Sequence, residues 1–253
     1  MLAHALDTRK KIGLARSRRL VERQKAQSDS FEPPSFDPVD FRLDRDLQAE
    51  AAHVLEVAGI AAASDAEDQL CAFLDGIFGR ERGFVSTPVG RRPFYNEHGT
   101  YEFRRWENSV FWRWPREADD LIDFVLGMSD QADVYICPVL LSSPDRKEPC
   151  CLPARYAWAD LDWPWSQERI EKVGELLAAG SFLVDSGTGA HLYVALDDEV
   201  PATQLKAINK GLARHLDGDN KFSPSSVLRP PGSYNHKALP LGGVPLPVQV
   251  VGL

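Results

Sequence analysis

Two aspartates one residue apart stand out in the run Ala157-Trp158-Ala159-Asp160-Leu161-Asp162. On a strand, side chains alternate faces, so Asp160 and Asp162 point the same way, roughly 6.6–6.8 Å apart along the backbone. Two carboxylates at an apolar strand end repel unless something positive sits between them. Divalent cations are the usual answer, because they take oxygen ligands and bridge carboxylates. The bland alternative is a solvated strand end. A second signal is Ser186-Gly-Thr-Gly-Ala-His-Leu-Tyr193. Gly187 and Gly189 let the backbone approach a ligand closely, and the exposed N–H groups of such a loop suit phosphate oxygens. On the strand that follows, His191 and Tyr193 share the face opposite Leu192 and Val194. The third signal is Val227-Leu-Arg-Pro-Pro-Gly-Ser-Tyr-Asn-His-Lys237. An apolar pair delivers Arg229, Pro230 and Pro231 stiffen the chain, Gly232 turns it, and Asn235 and Lys237 present polar heads. Taken alone it reads equally as a rigid loop with solvated bases.

The elements that must position these groups follow from the apolar pattern. Arg155 to Leu161, Ser181 to Asp185 and Ala190 to Leu196 read as strands, the last two joined by the tight loop at 186–189. Ser166 caps a helix with Ile170, Val173, Leu176 and Leu177 on its apolar face. Pro201 opens another with the stripe Leu205, Ile208, Leu212 and Leu216. Upstream, Ser64 with Glu67 forms a capping box before Leu70, Phe73, Leu74, Ile77 and Phe78. A short helix is expected from Arg116 to Gly127 and a strand from Val134 to Leu141. Leu47, Ala51, Val54 and Leu55 fall on one further helical face. Ser226 to Arg229 and Pro247 to Val251 are short and extended. The pattern is α+β, a helix between strands with a hairpin beside them.

The 253 residues carry a net charge of −8, which argues against a protein that coats nucleic acid over its whole surface. The charge is unevenly placed. Between Arg9 and Lys25 eight bases face the single acid Glu22, a local +7 that leaves −15 on the rest. A basic-aromatic stretch runs from Arg104 through Arg105, Trp106, Phe111, Trp112, Arg113 and Trp114 to Arg116. It can supply phosphate contacts and a stacking surface for a strand, or be a buried Trp cluster with arginines reaching outward. No apolar run is long enough for a membrane span, so no membrane partner is expected. Cys71, Cys137, Cys150 and Cys151 form no C-x-x-C pair, so no zinc is expected and the compartment reads as reducing.

Taken in order, A-D-L-D, S-G-T-G-A-H-L-Y and V-L-R-P-P-G-S-Y-N-H-K resemble the archaeo-eukaryotic primase superfamily. The likeness is to the primase-polymerase domains of phage and plasmid replicases, over about residues 100–240. It implies an N-terminal α/β unit packed on an RRM-like catalytic unit. The expected division is a basic arm at 1–30 and a catalytic domain at 31–253, split into units of about 31–130 and 131–253. It implies DNA-dependent nucleotidyl transfer, making or extending primers with Mg²⁺ or Mn²⁺ on single-stranded DNA from dNTP or NTP substrates. A cytoplasmic setting in a bacterial or phage-infected cell is expected. A fused helicase is also expected, with the apolar end at 250–253 a cut within a longer replicase.

The resemblance makes Asp160 and Asp162 the metal-binding acids and, with His191, the catalytic group. Ser186 and His191 meet the phosphates of the incoming nucleotide, with Gly187, Gly189 and Tyr193 beside them. Arg229, Asn235 and Lys237 complete the nucleotide site. Arg104, Arg105, Trp106, Arg113, Arg146 and Lys147 are the candidate DNA contacts. One departure concerns the third acidic ligand that relatives place before the Leu-Arg pair. The matching position holds Ser223, leaving Asp219 or Asp217 to serve. Two rivals stay open: a non-catalytic single-strand or origin-binding module, and a metal-dependent nucleotide or nucleic-acid hydrolase.

Overall fold

The computed structural model describes residues 65–162, 165–177 and 180–251. The basic arm, the Leu47–Leu55 face and Ser64 lie outside these residues. Helix α1 (Ala66–Phe78) is capped by Asp65, whose carboxylate accepts the Asp68 N–H at 2.9 Å. The observed cap is thus one residue beyond the expected Ser64, and its charge also suits the helix N-terminus. Leu70, Phe73, Leu74, Ile77 and Phe78 form the buried stripe, as their spacing requires.

Strands β1 (Gly83–Tyr95) and β2 (Tyr101–Trp114) form a long antiparallel hairpin. Asn96 closes its turn by accepting the His98 and Thr100 N–H groups. A register shift separates Thr87 from Val89, where Pro88 has no N–H to give the ladder. Helix α2 (Ala118–Ser129) covers the hairpin, and β3 (Asp133–Val134) completes a sheet of order β2-β1-β3. The strand expected over Val134 to Leu141 is mostly irregular. Tyr135 and Cys137 donate to Pro88 and Ser86 of β1, while Ile136 bridges to Leu228, so the segment is shared between two neighbours. Pro138 offers no N–H to continue a ladder.

The second sheet is antiparallel, in the order β4-β6-β5-β9. Its members are β4 (Ala154–Asp162), β5 (Phe182–Asp185), β6 (Gly189–Val200) and β9 (Gln249–Val250). β7 (Tyr234–Asn235) and β8 (Leu246–Pro247) form a small pair beside it. Helix α3 (Gln167–Leu176) starts at Ser166, whose hydroxyl accepts the Arg169 N–H. It buries Ile170 and Val173, with Leu176 and Leu177 at its edge. Helix α4 (Ala202–Leu216) packs Leu205, Ala213 and Leu216 inward and places buried Asn209 to accept the Trp158 N–H at 2.9 Å. One cluster of buried side chains passes from Leu70 and Phe73 through Val85 and Leu121 to Trp158, Phe182 and Val250, tying both sheets together. The architecture is therefore mixed α/β built on antiparallel sheets. Among the described residues, no helix is long and apolar enough to cross a membrane.

Candidate active site

β4 ends on Asp160 and Asp162, and pairing with β6 sets His191 opposite Asp160 and Gly189 opposite Asp162. The alternation expected from sequence therefore holds. Asp160 is largely buried and Asp162 half exposed. His191 Nε2 lies 3.6 Å from Asp160 Oδ1, and its Nδ1 is buried without a partner. Burial, then the charges of Arg229, Lys221 and Lys237, push the His191 pKa down to about 3, so the ring is neutral. Burial, then Asp162, holds the Asp160 carboxyl above its ordinary range.

These groups line a groove of about 900 Å³ between the two sheets. The second sheet contributes Asp160, Asp162, Ser186, Thr188 and His191 to it. The hairpin contributes Tyr95, Tyr101, Phe103 and Trp106, joined by Tyr135. Asp219, Lys221, Arg229, Lys237 and Arg146 are the further charged groups that line it, with Glu102 of the hairpin. Asp219 donates its N–H to the Asp160 carbonyl at 2.8 Å, which carries it to the acids, and burial followed by Asp162 and Asp160 raises its pKa. Asp217 caps α4 instead, its fully exposed side chain facing Arg169. Ser223 bonds Ser225 at 3.1 Å and does not line the groove.

Several candidates have other work. Tyr193 shares the His191 face but sits in the core, stacked on Phe182 with centroids 4.9 Å apart and edge-on to Phe73. Asn235 is a strap: its amide donates to the Ser186 carbonyl and to Thr188 Oγ1, and its Oδ1 accepts the Lys237 N–H. The 186–189 loop is less open to phosphate than expected. The Ser186 N–H goes to the Gly189 carbonyl and the Gly187 N–H to Asp185 Oδ1. Its glycines serve packing: a Cβ on Gly189 would meet the Leu161 carbonyl at 2.3 Å, and one on Gly187, at φ +82°, would meet Leu246. Arg104 lies over the Phe94 ring, Arg105 faces Glu107 and Lys147 pairs with Asp145. With Arg113, these three lie outside the groove lining, whereas Trp106 and Arg146 belong to it.

Sequence reading missed the anchor of Arg229. Asp133, fully buried, accepts from Arg229 Nε at 2.6 Å and from the Tyr101 hydroxyl at 2.9 Å. The guanidinium lies 4.9 Å from the Tyr135 ring centroid, and its Nη2 is buried without a partner. Burial opposes the charge, but Tyr135 and Asp133 outweigh it and hold the Arg229 pKa above its ordinary value. The available hint was an acid heading the apolar run Val134-Tyr135-Ile136. Lys221, two residues after Asp219, was likewise overlooked.

The donor chemistry at Asp160, Asp162 and Asp219 fits a hard divalent cation, being carboxylate oxygen throughout. Among the described residues, no three His, Cys, Asp or Glu side chains are gathered closely enough to hold an ion unaided. Lys237 Nζ instead stands 3.4 Å from Asp162 Oδ1.

No protein-family model and no curated protein matches the sequence. Solved structures do. The AEP domain of the cyanophage S-2L primase-polymerase matches at 15% identity and a TM-score of 0.48, covering 72% of this chain and 88% of that one. Primase RepB′ matches at 14% identity and 0.47, covering 73% of this chain and 55% of that one. The catalytic domain of RepB′ in complex with initiator DNA matches at 13% and 0.47, covering 74% and 84%. By their names these neighbours are primase and primase-polymerase domains.

Proposed function

We propose that this chain is a nucleotidyltransferase that makes or extends primers on single-stranded DNA, using Mg²⁺ or Mn²⁺ held by Asp160 and Asp162 with Asp219 in reserve. The supporting observation is the pair of acids on one face of β4, set in a groove that also gathers Arg146, Lys221, Arg229 and Lys237. Such a groove favours a ligand carrying both signs, a metal–nucleoside triphosphate, over either component alone. A bound divalent cation supplies activation of a 3′-hydroxyl and neutralises charge at the α-phosphate. Arg229, fixed by Asp133, and Lys221 hold phosphate oxygens and position the chain for in-line attack. Lys237 exchanges Asp162 for a phosphate. Neutral His191 offers a hydrogen bond without adding charge beside Asp160.

The test is incubation with single-stranded DNA, labelled nucleotides and Mg²⁺ or Mn²⁺, with and without a primer. Asp160→Asn and Asp162→Asn should each abolish synthesis while the fold persists. Extension at near wild-type rate by either variant overturns the metal assignment. The Lys237–Asp162 contact favours a second reading, a strand-binding module without chemistry. That reading requires metal-independent DNA binding and no nucleotide incorporation by the wild-type protein.

A further inference from the structure

We propose that Trp106 is a stacking platform for an unpaired nucleobase, an inference that rests on reading the groove as a nucleotide and strand site. Among the described tryptophans, Trp114, Trp158 and Trp165 are buried, and Trp112 is half-buried with its N–H on Thr87 Oγ1. Trp106 differs, being 51% exposed while lining the groove. Its indole is braced by Phe103, with centroids 4.8 Å apart at 75°, and by Tyr135 at 5.4 Å and 47°. A braced ring loses little side-chain freedom when a flat ligand settles on it, so it is suited to binding. Gly90 contributes to the bracing, since a Cβ there would meet the Phe103 ring at 2.6 Å.

The order of groups along this wall gives the ligand class. Behind Trp106 comes Tyr135, and over Tyr135 lies the Arg229 guanidinium. An aromatic surface followed by a cation matches a base followed by a phosphate. Stacking needs a bare base face, which a duplex withholds and a single strand or a free nucleotide presents. Arg104 lies over Phe94 and Arg105 beside Glu107, and neither lines the groove, so the platform's own contribution there is stacking.

Binding is measured by fluorescence anisotropy of labelled oligothymidylate in metal-free buffer, with an abasic chain and a duplex of equal length as comparisons. Nucleoside triphosphate binding is measured separately by calorimetry with Mg²⁺. Trp106→Ala should weaken oligothymidylate binding about 5- to 150-fold, and Trp106→Phe far less. Abasic chain and duplex should bind both variants as they bind wild type. Trp106→Leu keeps an apolar side chain without a ring and should behave like the alanine variant. A loss confined to the nucleotide arm supports the platform and assigns it to the base of the incoming nucleotide. Equal loss on the abasic chain, no loss in either arm, or full binding by Trp106→Leu overturns the proposal. None of the strand-binding arms requires catalysis, so an inactive wild-type enzyme refutes nucleotidyl transfer without touching this result. Wild-type protein that binds neither strand nor nucleotide refutes both.

Discussion

Asp133 is the buried acid on which the cationic part of the groove depends, and Asp133→Asn is the most informative substitution. Its two oxygens take Arg229 Nε at 2.6 Å and the Tyr101 hydroxyl at 2.9 Å, with the His236 N–H at 3.4 Å. Asparagine keeps the shape but leaves the guanidinium, 8% exposed, without its counter-charge. Removing one partner of a buried pair costs about 3–5 kcal/mol. In a chain of this size each kcal/mol is worth about 2–4 °C, so the melting temperature should fall by roughly 6–20 °C. Arg229→Met should cost a similar amount, since it strands Asp133.

The double variant separates this account from a general packing defect. A buried ion pair replaced by neutral groups of similar size is often nearly neutral in stability. Asp133→Asn with Arg229→Met should therefore be more stable than either single variant, by calorimetry and by urea denaturation. Well below its melting temperature, Asp133→Asn should also bind nucleoside triphosphate more weakly, by calorimetry. A loss below about 1 kcal/mol, or a double variant showing the sum of the two losses, would refute the reasoning.

Further expectations follow from the same geometry. The ordinary His191 pKa of 6.5 falls to about 3 in the fold, so its contribution to stability is fully present above 6.5 and lost as pH drops toward 3. In metal-free denaturation series, His191→Gln should remove up to about 1.4 kcal/mol per pH unit from the slope within that window. Asp160 has the opposite sign: its pKa is raised, so its charge burdens the fold as pH climbs through that raised value. Asp160→Asn should raise the metal-free melting temperature at pH 7 and lose that gain in acid, and a lowered value at pH 7 would contradict it. Gly189→Ala puts a methyl against the Leu161 carbonyl and should cost about 1–3 kcal/mol by thermal denaturation. Gly211→Ala, in open space on α4, should instead gain about 0.5–1 kcal/mol by the same measurement.

How much of this was legible depended on the range of each interaction. The common face of Asp160 and Asp162 was readable because strand alternation is local, whereas the register that sets His191 opposite Asp160 is written in neither strand alone. The glycines of the 186–189 loop read as room for a ligand, whereas the structure fills that room with protein. What approaches them was hidden, because Leu161 and Leu246 come from other elements. The Arg229–Asp133 pair spans 96 positions, with nothing in either local pattern to join them. The β1–β2 hairpin escaped because Arg91, Arg92, Arg104 and Arg105 dilute its apolar alternation, and its exposed face needs none. The basic-aromatic stretch was misjudged as one unit. Trp114 gives its N–H to the Gly79 carbonyl and is core, while Trp106, on the same strand, remains open.

The segment from Val227 to Lys237 explains how two sheets present one groove. Leu228 bridges to Ile136, and Arg229 is fixed by Asp133 on β3, so the segment begins attached to the first sheet. Pro230 and Pro231 then stiffen it, and Gly232 turns at φ +78°, where a Cβ would meet the Ala66 carbonyl at the start of α1 at 2.4 Å. Asn235 next grips the Ser186 carbonyl and Thr188, and Lys237 reaches Asp162, which attaches the far end to the second sheet. The Lys237 carbonyl accepts the Tyr95 hydroxyl at 3.1 Å, closing the circuit back to the hairpin. The aromatic wall and the acidic floor are thus cross-linked before a ligand arrives, and the Asn235 and Tyr95 links persist when Lys237 turns from Asp162 to a phosphate. Without this strap, a ligand spanning base platform and acids would have to order two sheets as it bound. With it, most of that ordering is already present in the fold, and more of the contact energy remains for binding and alignment.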